Sequence, residues 1–156
     1  MSERAAFWTW LNVAWLVFAV TASGCQASER GTDKDFLRMP PRERDRAILQ
    51  YSPERQVDLY LKVVLQQHPP DLGLADAVAS NGSKIVPALT ERLVSDDRDV
   101  AKMHLIDVFL RMKQLGYYPV AADAKTMALL QQQVAAMKDP QWKEMSSDML
   151  ERIRAK

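Results

Sequence analysis

Ile85-Val86-Pro87-Ala88-Leu89-Thr90-Glu91-Arg92-Leu93, an acidic turn at Asp96-Asp97, and a run carrying Val100, Met103, Ile106, Phe109 and Leu110 decide the fold class. Ile85, Val86, Leu89 and Leu93 recur at three- and four-residue intervals, which puts them on one face of a helix, and the second run repeats the pattern. Pro87 falls early enough to sit in a first helical turn or to kink the helix. Asp96 or Asp97 is expected to cap the second helix, because an aspartate there accepts from free backbone N–H groups and suits the helix dipole. Gly116 closes it.

The same reading extends outward. Pro41 opens a helix to about Tyr51, and Ser52-Pro53-Glu54 caps another that runs through Val57, Leu61, Val64 and Leu65 until His68-Pro69-Pro70 stops it. A short helix from Asp71 through Leu74, Ala75 and Val78 ends at Asn81-Gly82. Asp123 caps a helix through Met127, Leu130, Val134 and Met137, and Asp139-Pro140 opens the last, through Trp142, Met145, Met149 and Ile153. No segment alternates convincingly as a strand. The expected class is all-α.

At an offset of 44 residues, Ile85 and Val86 fall on Leu129 and Leu130, Leu93 on Met137, Ile106 on Leu150 and Phe109 on Ile153. Backward, Asp96 falls on Ser52, Leu105 on Leu61 and Val108 on Val64. An apolar helix, an acidic turn and a second apolar helix at this spacing resemble a HEAT repeat, whose period is roughly 40 to 47 residues. The resemblance implies three helix pairs from about Pro41 onward, residues 72–80 being an extra helix, and therefore a short HEAT-like helical solenoid. An irregular multi-helix bundle is the alternative, since any two amphipathic helices match at an offset near a whole number of turns.

Ahead of these helices, no charged residue occurs from Ala5 to Ser28, and Phe7, Trp8, Trp10, Leu11, Val13, Trp15, Leu16, Val17, Phe18 and Val20 form an apolar core that ends in small residues. Thr21-Ala22-Ser23-Gly24 then leads to Cys25, the one cysteine of the chain. That ending resembles the lipobox of a bacterial lipoprotein precursor, with Ala22 where leucine is usual. The resemblance implies cleavage before Cys25 and a diacylglycerol on its thiol, so that residues 1–24 are a signal helix. Two acyl chains anchor stably, at about 0.8 kcal/mol for each buried methylene. In such lipoproteins an aspartate after the cysteine retains the protein in the inner membrane. Gln26 therefore implies the outer membrane, periplasmic face, with an uncleaved inner-membrane signal anchor as the alternative. Residues 25–40, polar and ending in Pro40-Pro41, read as a flexible tether, and residues 41–156 as the helical domain.

Composition limits the chemistry. The chain of 156 residues carries 21 Lys and Arg against 20 Asp and Glu, a net charge of +1, with signs interspersed instead of clustered, which excludes the basic footprint of a nucleic-acid binder. A lone cysteine forms no intramolecular disulfide, and His68 and His104 stand apart without metal-ligand spacing, so no metal and no cofactor is expected. His104 reads as a satisfied, partly buried core histidine. No nucleophile, base and orienting group form a local signature, so no catalytic residue is assigned.

Three residues suit contact with a partner. Tyr117-Tyr118 joins two helices, and Trp142 is the one tryptophan beyond the signal; both types combine apolar area with a polar tip. Packing under a neighbouring helix is the competing role for each. The methionines recur at helical spacing, core residues first and a pliable surface second. The expectation is a membrane-anchored envelope lipoprotein acting as a non-catalytic protein-interaction or assembly-supporting module for a protein partner. A periplasmic immunity or inhibitor protein is the alternative. A cell-wall hydrolase built from dispersed acids is the reading from another class, to be revived by two close carboxylates or a His–acid pair in a cleft.

Overall fold

The computed structural model describes residues 33–67, 71 and 73–155. They form eight α-helices and no strand: α1 (Asp33–Arg38), α2 (Pro41–Ile48), α3 (Pro53–Gln66), α4 (Gly73–Ala79), α5 (Val86–Ser95), α6 (Asp99–Gln114), α7 (Ala124–Ala135) and α8 (Pro140–Arg154). Short 3-10 turns at Gly82–Lys84 and Val120–Ala122 lead into α5 and α7. Cys25 and the whole apolar N-terminal stretch lie outside the described residues, as do His68, Pro69, Pro70 and Leu72. No helix among the described residues is long and apolar enough to cross a membrane.

Local chemistry sets most helix starts. Ser52 accepts from the Arg55 N–H at 3.3 Å, Asp123 from Lys125 and Thr126, and Asp139 from Gln141 and Trp142, each satisfying donors that a helix start leaves free. Pro41, Pro53, Pro87 and Pro140 all occupy first turns, where no backbone N–H is needed, so α5 carries Pro87 as a start signal.

The acidic turn works differently from the expected cap. Arg98 stands at the N-cap of α6 and gives no side-chain cap bond. Asp96, its side chain only 5% exposed, accepts from the Arg98 backbone N–H at 3.1 Å and from its guanidinium at 2.6 and 2.9 Å. Arg92 reaches the same carboxylate at 3.3 Å and Asp58 of α3 at 2.8 Å. A buried carboxylate surrounded by guanidinium donors is satisfied without a helix N-terminus, so Asp96 joins α5 to the start of α6, and Arg92 extends the link to α3.

The helices alternate between two rows. Helices α2, α4, α6 and α8 pack side by side in one, and α3, α5 and α7 in the other. Helices α6 and α8 run parallel. At one end the Asp99 carboxylate accepts from the backbone N–H groups of Lys138 and Asp139, and at the other the Lys113 ammonium donates to the Arg152 and Ala155 carbonyls. Between the rows lies a continuous apolar core that includes Leu59, Leu74, Leu89, Leu105, Ile106 and Phe109.

Two boundaries differ from expectation. Helix α1 falls inside the stretch read as a tether: Phe36 is buried, with its ring edge-on to Tyr51 at 5.9 Å, and Asp33 pairs with Arg55 and Lys62 of α3. One phenylalanine in a polar segment gives no periodicity, yet burying it is worth about 1.5–3 kcal/mol. The helices of the two rows also follow one another at fewer than 44 residues. Helix α7 starts 38 residues after α5 (Ala124 against Val86), and α8 starts 41 after α6 (Pro140 against Asp99). An offset of 44 lies three residues, about one turn, from the step between α6 and α8, which preserves the match of apolar positions there while misplacing the partners, and six residues from the step between α5 and α7. Helix α3 accordingly shares a row with α5 instead of α6, and α4 is no insertion, since it continues the row of α6 and α8.

Candidate functional site: a groove over α6

Helix α4 has seven residues and runs beside the C-terminal half of α6: Asp76 reaches Arg111, and Gly82 lies under the Tyr117 carbonyl. The N-terminal half of α6 is flanked instead by the last turn of α3. A groove of about 560 Å³ opens there and continues along α6, with Val100, Met103 and His104 of the N-terminal half and Asp107 and Arg111 of the C-terminal half along it. Val64 and Leu65 of α3 border one side, and Trp142, Met145 and Met149 of α8 the other. Its size is that of a ligand or anchor pocket. Met145 is 39% exposed, and Trp142 and Met149 are half-buried, so this is apolar surface left in contact with water.

Three polar residues stand in this apolar setting, at the spacing of one helix face. Asp107, with a side chain 13% exposed, lies 3.6 Å from the Arg111 guanidinium, which lies 3.6 Å from Asp76 as well. Both separations exceed hydrogen-bond length. The Arg111 Nε and one Asp76 oxygen are buried with no hydrogen-bond partner among the described residues. Burial pushes the Asp107 carboxyl above the ordinary range, Arg111 opposing and Asp76 reinforcing the shift. Burial also pushes the His104 imidazole down, which leaves it neutral at pH 7.

The expected site residues are divided. Trp142 lines the groove at the start of α8. Tyr117 and Tyr118 lie beyond the far end of α6, so the structure does not bring them to Trp142. The Tyr118 hydroxyl donates to Asp123 at 2.5 Å and helps set the start of α7, a structural role. Tyr117 is 46% exposed, and its carbonyl sits against Gly82. Sequence reading missed His104, Asp107 and Arg111 as a group, although their i, i+3, i+7 spacing on one helix was available.

The ion pairs of Asp107 and Asp76 are with Arg111, and none links His104 to Asp107. Among the described lining residues there is no Ser, Thr, Cys or Lys to act as a nucleophile. No group of three His, Cys, Asp or Glu among the described residues is placed to hold a metal ion. A second, more open groove of about 880 Å³ lies between α5 and α7, lined in part by Val94, Leu129 and Thr90, with no aromatic side chain. No protein-family model, curated protein or solved structure matches the chain.

Proposed function

We propose that this chain is a lipid-anchored protein of a bacterial envelope whose helical domain binds a protein partner in the groove over α6, without catalysing a reaction. The observation that carries the reading is the grouping of exposed Met145 with half-buried Trp142 and Met149 along one concave apolar surface. Tryptophan and methionine are enriched in interface cores, where large apolar area is buried by side chains able to adapt to the partner. The anchoring half rests on Cys25 at the end of its apolar stretch, with Gln26 favouring the outer membrane. At no more than about 3.6 Å per residue, the few residues between Cys25 and Asp33 limit how far the start of α1 can stand from the anchor.

The test is in-cell photo-crosslinking of the full chain from position 145, with position 94 in the second groove as control, and mass analysis of the joined residues. A single envelope protein joined from position 145 and not from 94 is expected. Equal yields at both positions, or none at 145, removes the groove from the reading. Cys25→Ala is expected to abolish lipid attachment. An unchanged mature mass and membrane fraction for that variant would replace the lipid anchor with a spanning segment.

A further inference from the structure

We infer that the partner element taken by the groove is a short amphipathic helix carrying one Lys or Arg that meets Asp107. The inference rests on the docking function proposed above and names what docks. Three observations lead to it.

Shape comes first. From Val100 to Arg111 the groove follows α6 for eleven residues, about 17 Å at 1.5 Å per residue, a length matched by three turns of a second helix lying alongside. Backbone chemistry comes second. The walls are helices, most of whose N–H and C=O groups are paired along their own axes, and they offer no open strand edge. An extended segment entering here would strand its amides in an apolar setting, whereas a helix brings its backbone already satisfied.

Charge comes third. Asp107 is largely buried, and its ion pair with Arg111 is long, at 3.6 Å, and shared with Asp76, so two carboxylates face one guanidinium. Arg152 acts on Asp107 only through space, from the exposed side of α8, and neutral His104 adds no charge. A hydrocarbon chain in the groove would cover Asp107 and leave its carboxylate only the long pair with the Arg111 guanidinium that Asp76 shares, which is costly. A cationic side chain at the middle of an apolar helical stripe would supply a donor of its own. Hence the occupant is a basic amphipathic helix and not an acyl chain.

The experiment uses the full chain in phospholipid nanodiscs and two labelled peptides of about four helical turns. Both carry Leu at i, i+3, i+7 and i+10, and they differ only in a central Lys or Gln. Anisotropy titration is expected to show the Lys peptide binding roughly tenfold or more tighter, the gain of a hydrogen bond to a charged group. In Asp107→Asn that preference is expected to fall to about twofold, and Met145→Glu is expected to abolish binding of both peptides. Far-ultraviolet circular dichroism of each variant checks that the helices are retained. Equal binding of the two peptides, an unchanged preference in Asp107→Asn, or no binding of either overturns the basic helix. If crosslinks from position 145 to an envelope protein persist in that event, the docking function stands with another kind of occupant, and crosslinks to lipid would identify an acyl chain. If they too are absent, both readings fail together.

Discussion

The buried phenol of Tyr60 donates a hydrogen bond of 3.1 Å to the backbone carbonyl of His104, so the residue whose imidazole lines the groove is fixed through its main chain to α3. Burial pushes the phenol up, and it remains a donor at any physiological pH. Tyr60→Phe keeps the ring and removes this bond. It is expected to cost about 1 kcal/mol, while Tyr60→Ala, which empties the site, costs about 3–5 kcal/mol. Equilibrium denaturation of the two variants separates the terms; equal losses would mean that the hydroxyl and not the ring carries the contact.

Phe36 tests where the folded domain begins. If α1 packs as described, Phe36→Ala removes a ring that is 1% exposed and its edge contact with Tyr51. The expected loss is about 3 kcal/mol, with a lower unfolding midpoint. A variant as stable as the parent chain would return residues 33–39 to the tether. Because Asp33 also pairs with Arg55 and Lys62 on the exposed flank of α3, Asp33→Asn is expected to change stability by less than about 1 kcal/mol.

The helices were legible because their start signals are local. Asp139 followed by Pro140, or Ser52 followed by Pro53, needs no tertiary partner to be read. Asp96 misled because the same residue type that caps a helix also binds guanidinium groups, and which occurs depends on Arg92 arriving from the preceding helix and on Asp58 from α3. Trp142, read as a candidate for partner contact, lines the groove, whereas Tyr118 is drawn inward by Asp123. Asp107 and Arg111 were missed for a physical reason: on a helix with apolar residues on nearly every side, polar positions read as the solvated face. Here that face is partly enclosed by α3 and α8, a tertiary relation invisible to periodicity.

Asp96 makes stability depend on pH in a defined window. Its donors hold the carboxyl down to about 2, below the unfolded value near 3.9, so its contribution is complete above about pH 4 and is lost as pH falls through 2. Asp96→Asn forfeits it at every pH. The expected gap between parent and variant is about 2 kcal/mol near neutrality and narrows toward zero at pH 2, as followed by urea unfolding at a series of pH values. A gap that stayed constant down to pH 2 would show that the amide fails by shape instead of charge. Asp123 is also held at about 2, by Thr126 and Tyr118, so the parent chain itself weakens in the same range and only the difference between the two proteins isolates Asp96.

Gly82 and Gly116 offer a matched pair. Both have positive φ, 58° and 74°, where an alanine costs about 1–2 kcal/mol from its own backbone. They differ in surroundings. A Cβ at Gly82 would stand 2.8 Å from the Tyr117 carbonyl oxygen, a backbone atom that cannot rotate away, while one at Gly116 meets nothing within 4 Å. Gly116→Ala should therefore lose only the conformational cost, and Gly116→Asn still less, since asparagine tolerates this region. Gly82→Ala must also push the turn after α6 away from the entry to α5, and is expected to lose at least about 1 kcal/mol more than Gly116→Ala, within the usual penalty for overpacking. Comparing denaturation midpoints of the three variants decides it. Equal losses for the two alanines would mean that the turn after α6 yields freely, and that the close approach of Gly82 to Tyr117 does not hold the α4–α5 connection in place.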